Sequence, residues 1–326
     1  MNASSSSVCG LVFALALGMV AGCSGTPSGQ TPSASPAAST APSKVKVVAT
    51  NSVLCNLTQE IAADTVDLTC LIQPGADSHV YQATAEDRRA IETANLVFYG
   101  GYNLEPEISK LVKASTSPAP KVAVSEVAVP TPQQFEEDGK TTPDPHVWHS
   151  AQNGARMAEV IANNLTKVSP PQAGLYAKNV QLLTTDLSRL DSWIKAQIAT
   201  IPTASRKLVT THDALGYYSA AYGIPVEGAL QGISTDEKPT AARVKFLVDD
   251  LRNTQVPTVF AEVSTNPKLL EVVSKESGVK IAERELYTDG LGEKGSAGET
   301  YRKMLVSNTQ TIVEGLGGKF TPFEQK

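Results

Sequence analysis

From Leu175 to Ile201 the chain runs without a proline or a glycine, and no other stretch constrains the fold as much. Leu182, Leu183, Leu187, Leu190, Trp193, Ile194 and Ile198 fall on one stripe of a helix with 3.6 residues per turn. Pro170 and Pro171 stand where prolines open a helix. The pattern predicts a helix of about 30 residues, ~45 Å long at 1.5 Å per residue. That is longer than a small domain needs and suits a strut between two lobes.

On both sides of this helix, short apolar runs alternate with amphipathic ones. Before it, strands are expected at 45–50, 66–72, 96–99 and 121–124, and helices at 52–63, 104–113 and 153–165. After it, strands are expected at 207–210, 225–230, 258–261 and 279–286, and helices at 214–222, 240–253, 267–277 and 301–316. Strands separated by helices read as crossover units with parallel sheets. The 326 residues allow two domains. The expected fold is α/β: two Rossmann-like lobes, 44–169 and 202–326, joined by a linking helix at 170–201. Ligands of such sheets bind at the carboxyl ends of strands. Residues 130–143 read as a polar loop.

The first 43 residues lie outside this pattern. Leu11 to Ala21 is an uncharged apolar run, the length of a signal-peptide core and too short to span a bilayer. It leads into Val20-Ala21-Gly22-Cys23, which resembles a bacterial lipobox. Residues 1–22 are thus expected to be a lipoprotein signal peptide, with Cys23 the lipidated mature terminus and the link to the membrane. Residues 24–43 are only Ser, Gly, Thr, Pro, Gln and Ala, a composition that cannot bury apolar surface. With Cys23 they form a tether, 23–43.

Export suits the remaining cysteines. Cys55 lies in the first turn of one expected helix and Cys70 late in the next strand, and both positions return to the same edge of a parallel unit. A disulfide is expected. With 33 acidic against 28 basic residues and no basic run, the chain is a poor candidate for nucleic acid.

There are four histidines. His79 follows a strand in QPGADSHVY, His146 precedes a helix in DPHVW, and His212 follows the strand KLVTT. Asp289, in YTDGLG, follows the last strand. Three histidines and one aspartate, two from each lobe, therefore sit where ligands are expected. His149 lacks that placement and is read as a surface residue.

The order PGADSHVY, GGYNLE, DPHVW, long helix, THDALGYYSAAYG, ISTDEKPTA, VFAEVSTNPKLLEVVSKESGVKI, YTDGLG, ETYRKMLVSNTQTI resembles the solute-binding family 9 receptors. These are the zinc and manganese receptors of ABC transporters, also called adhesin-type lipoproteins. The resemblance spans residues 44–316. It implies two lobes bridged by a rigid helix, a metal in the cleft held by His79, His146, His212 and Asp289, and a membrane permease as partner. Ser78 stands where the family often has proline. Histidine at the third ligand position points to zinc, whereas the absence of a His-rich loop before DPHVW does not.

Three imidazoles and one carboxylate make a complete tetrahedral zinc set, while a two-oxygen carboxylate would admit manganese. The divalent ion is therefore expected to be zinc first and manganese next, carried as transported ligand, with no catalytic cofactor and no enzyme activity. Two other readings are open to the same residues. A zinc hydrolase would use Glu262 as base and need a metal-bound water. A surface adhesin would share the lipid tether.

Overall fold

The computed structural model describes residues 44–324, apart from Asp138 and Gln255. The signal segment, Cys23 and the tether lie outside the described residues. Strands are β1 (Val45–Ala49), β2 (Val66–Cys70), β3 (Leu96–Tyr99), β4 (Lys121–Ala123), β5 (Gln134–Glu137), β6 (Lys140–Pro143), β7 (Leu208–His212), β8 (Val226–Gln231), β9 (Thr258–Val259) and β10 (Lys280–Ile281). Helices are α1 (Ser52–Ala62), α2 (Ala85–Thr93), α3 (Pro106–Ala114), α4 (Val124–Ala128), α5 (Ala151–Val168), α6 (Ala173–Ala199), α7 (Gly216–Tyr222), α8 (Ala241–Thr254), α9 (Lys268–Ser277) and α10 (Tyr301–Gly315).

Before α6, four parallel strands form one sheet in the order β2-β1-β3-β4. Val47, Val48, Leu96, Val97 and Phe98 are all buried, as expected of strands covered on both faces. Asn51 caps α1 by accepting from the Leu54 N–H at 3.0 Å. Cys55 in α1 and Cys70 at the end of β2 form a disulfide with Cα atoms 5.7 Å apart.

After α6, β7 pairs with β8 and β9 with β10, each in parallel. A bridge between Thr210 and Phe260 carries the arrangement on as β8-β7-β9-β10. The last two strands are shorter than expected. Beyond Ile281 the charged residues Glu283, Arg284 and Glu285 are exposed, and the chain returns only at buried Leu286, which bridges to Glu262.

The long helix has 27 residues and follows a single 3-10 turn at Pro170–Gln172. Tyr176, Leu183, Leu187, Leu190, Ile194 and Ile198 form its buried face. They join one core with Leu57, Ile61 and Leu165 from before the helix and Leu208, Tyr218 and Leu305 from after it. Leu182 does not belong to that face and is 59% exposed. Trp193 packs edge-on against Phe320 and Phe323 of the C-terminal segment.

Two further differences have local causes. The expected loop at 130–143 contains the antiparallel hairpin β5–β6, closed by Gly139 at φ 75°. Helix α2 escaped the apolar pattern because only Asp87 and Ile91 are buried in it. Its signal is a capping box, with Thr84 and Asp87 satisfying each other's backbone N–H. Among the described residues, no helix is long and apolar enough to cross a membrane.

Candidate metal centre

His79, His146 and His212 are each fixed by a carboxylate that reaches the backbone. His79, in the loop after β2, donates its N–H to Asp77 Oδ1 at 2.9 Å, and Asp77 Oδ2 accepts from Thr235 Oγ1 at 2.6 Å. His146 lies between β6 and α5. Its N–H and its ring Nδ1 both meet Asp144 Oδ1 at 2.9 Å. His212 is the last residue of β7, inside the strand and not in a loop after it. Its N–H and that of Thr211 donate to Glu262 Oε1, each at 2.9 Å, while its Nδ1 is bonded to Glu262 Oε2. Thr288 Oγ1 donates to the same Oε2 at 3.0 Å.

Asp289 is held from several sides. Ser264 Oγ donates to Asp289 Oδ2 at 2.6 Å, and Ser78 Oγ to its carbonyl at 3.2 Å. Two residues on, Leu291 is bonded through its N–H to Ser52 Oγ at 2.9 Å and through its carbonyl to the Gly75 N–H at 2.7 Å. Gly290 is required between them, since a Cβ there would lie 2.6 Å from Ser52 Oγ.

The structure brings His79, His146, His212 and Asp289 together, with one ligand atom from each within 4.8 Å of all the others. His79 Nε2 is 3.0 Å from His146 Nε2 and 3.3 Å from Asp289 Oδ1. Asp289 Oδ1 is 3.1 Å from His212 Nε2 and 3.7 Å from His146 Nε2. A tetrahedral ion with bonds of about 2.0–2.1 Å spaces its donors roughly 3.3 Å apart, so the group has the dimensions of such a shell. All four residues are buried. His212 Nε2 and Asp289 Oδ1 have no hydrogen-bond partner, a costly arrangement in a dry site unless a cation sits between them. The Nδ1 contacts of His146 and His212 leave each Nε2 free to bind metal, the usual carboxylate–histidine–metal arrangement.

The electrostatics match. Burial opposes charge on His212, but Asp289 and Glu262 outweigh it and hold the imidazole well above its usual range. Burial also pulls His146 down, and its hydrogen bond to Asp144 together with the nearby Asp289 carboxylate reverses the sign, leaving it raised. At His79 burial prevails and the shift is downward. Burial of Asp289 opposes ionisation, yet the charge of His212 and the nearness of all three imidazoles bring it well below the carboxylate range. The site attracts positive charge, which protons supply when metal does not.

One sequence reading changes, and one alternative gains a structural context. His149 is fully buried, not a surface residue. Its Nε2 bonds the Thr288 carbonyl at 2.9 Å, one residue before Asp289, and burial lowers its pKa to about 3. A histidine in a short turn before a helix has no apolar period to betray its burial. Glu262, weighed as a base, is buried with both oxygens engaged on Thr211, His212 and Thr288. The supports Asp144, Asp77 and Ser264 were missed, although each aspartate stands two residues before a ligand histidine.

Residues 47–315 match the ZnuA family, zinc-uptake complex component A, periplasmic. This chain belongs to that family. The manganese ABC transporter substrate-binding lipoprotein PsaA of Streptococcus mitis is 36% identical over 84% of this ZnuA-family chain and 89% of its own length. The metal ABC transporter substrate-binding lipoprotein SsaB of Streptococcus sanguinis is 36% identical over 86% and 91%. Among solved structures, the periplasmic zinc binding protein TroA from Treponema pallidum superposes with a TM-score of 0.79 at 31% identity, over 84% of this chain and 99% of that one. A Mn-bound periplasmic metal binding protein from Candidatus Liberibacter asiaticus gives 0.73 at 25%, over 84% and 99%. The family is one of transporter substrate-binding proteins, and the mixed α/β fold with its long helix is the fold these structures share.

Proposed function

We propose that the chain is an extracytoplasmic receptor of an ABC transporter. It captures one divalent transition metal on His79, His146, His212 and Asp289 and delivers it to a membrane permease. The observation that carries this reading is the convergence of three imidazole Nε2 atoms on one unpaired oxygen of Asp289, at 3.1–3.7 Å, in a buried site. Four protein donors complete a tetrahedron and reserve no place for a reacting water, which suits carriage over hydrolysis. Glu262 then orients His212 and is no general base, so the protein is not an enzyme.

Zinc is the favoured cargo and manganese the next. Three imidazoles suit a borderline-soft ion, and affinity generally rises from manganese to zinc. The proposed organisation keeps two lobes, 44–169 and 202–326, with 170–201 between them, and an anchor of several acyl chains at Cys23, since one chain alone binds a membrane marginally. Palmitate labelling should vanish in Cys23→Ser, and persistent labelling would remove that anchor.

Calorimetric titration of chelator-stripped protein with Zn²⁺ and Mn²⁺ tests the receptor reading. One site per chain is expected, with tight binding lost in His212→Ala. Equal affinity in that variant would overturn the assigned site, and no binding of either ion would overturn the receptor.

A further inference from the structure

The two oxygens of Asp289 have different surroundings. Oδ1 faces the three imidazoles and has no hydrogen-bond partner, whereas Oδ2 accepts the Ser264 hydroxyl proton at 2.6 Å. Ser264 lies two residues after Glu262, in the segment that follows β9, and is half-buried. It also lines a cavity of about 370 Å³ whose polar lining residues include Asp77, Thr211, Gln231 and Thr235. A hydrogen bond to Oδ2 does two things. It fixes the rotation of the carboxylate, and it withdraws electron density from the oxygen that would otherwise swing onto the ion. Oδ1 alone is then presented, which gives four donors with the histidines. Four donors satisfy zinc, while manganese favours a larger, oxygen-rich shell.

We propose that Ser264 is a positioning residue that holds Asp289 to one-oxygen coordination and so sets the preference for zinc over manganese. The inference rests on the metal-receptor reading above and adds to it the device that discriminates between ions. It acts through Asp289 and requires no contact between Ser264 and the metal.

The test combines X-ray absorption, to count atoms bound to zinc, with competition titrations that give the ratio of Zn²⁺ to Mn²⁺ affinity. In wild type, four bound atoms are expected. In Ser264→Ala, the count should rise to five and the affinity ratio should fall by about tenfold, the lower range for losing a group that supports a ligand. Ser264→Thr keeps the hydroxyl and should restore both values. Co²⁺ gives an independent readout, because the intense visible bands of a four-coordinate ion should weaken in Ser264→Ala and persist in Ser264→Thr. Unchanged count and ratio in Ser264→Ala would overturn the proposal. So would five bound atoms in wild type, a result that needs no variant to fold. His212→Ala separates the two levels. If it abolishes binding while Ser264→Ala changes nothing, the receptor reading stands and the role of Ser264 falls. If His212→Ala binds normally, both fall.

Discussion

The proposed ligands that precede α6 and those that follow it are held in different ways. His79 and His146 are each fixed by an aspartate two residues earlier in the chain, Asp77 and Asp144. Their loops carry their own scaffolding. His212 and Asp289 depend on partners far away in sequence. Glu262 is 50 residues from His212, and Ser264 is 25 from Asp289. The sheets differ in parallel. The first is four continuous strands stapled by a disulfide, whereas β9 and β10 have two residues each and are extended by single bridges. Local support survives small rearrangements of the fold. Long-range support makes half the site report on whether the second set of strands has assembled.

Glu262→Ala should give the largest effect, because it removes the partner of His212, Thr211 and Thr288 together. Breaking such a buried pair costs about 3–5 kcal/mol, and loss of a group orienting a ligand costs roughly 10–100-fold in metal affinity. Thermal unfolding and titration read the two losses. An affinity unchanged within error would show that His212 is held by β7 alone. Next is the staple of the first sheet. A bridge across a separation of 15 residues is worth about 3 kcal/mol in the chain-entropy model. Cys55→Ser with Cys70→Ser should lower the melting temperature and leave metal affinity unchanged, since neither sulfur touches the site. Two titratable thiols in natively exported protein would remove the bridge itself.

Asp144 and Asp77 sharpen the contrast within the local pair. Asp144 contacts the ring of His146 as well as its backbone, whereas Asp77 contacts only the backbone of His79 and the side-chain hydroxyl of Thr235. Asp144→Asn should weaken metal binding by about 10–100-fold, and Asp77→Asn by less. The reverse order in titration would show that closure through Thr235 matters more than ring orientation.

Protons give the smallest effects, with opposite signs at two histidines. His149 has a folded pKa of about 3 against an ordinary 6.5, so the unfolded chain binds its proton first. Stability is present above 6.5 and is lost as pH falls, by about 2 kcal/mol at pH 5. His212 is raised above 6.5, so its proton stabilises the metal-free fold below that pH, and the contribution is lost as pH rises through the raised value. Metal requires the neutral ring. The melting-temperature gain on adding Zn²⁺ should therefore grow with pH through neutrality. A gain independent of pH would contradict proton competition at His212.

The same distinction explains what could be read from the sequence. The strand–helix alternation and the long helix are carried by local apolar periods, and the four residues that converge in the candidate site stand in short motifs, so these features were legible. The hairpin β5–β6 hid because its residues are polar and mostly exposed, and α2 hid because it buries so little. The place of Glu262 at a strand end near the cleft was legible, but its partner His212 was not, since the pairing of Thr210 with Phe260 that sets them side by side is encoded by no spacing. His149 was misread because a lone histidine carries no pattern, and its burial follows from where the Asp289 loop lands.

The most direct measurement is anomalous diffraction at the zinc absorption edge from crystals of the metal-loaded protein. The four-donor site predicts one strong peak per chain, about 2.0–2.1 Å from Nε2 of His79, His146 and His212 and about 2.0–2.2 Å from Asp289 Oδ1. A peak elsewhere, or one that keeps its place and strength in His212→Ala, would contradict it.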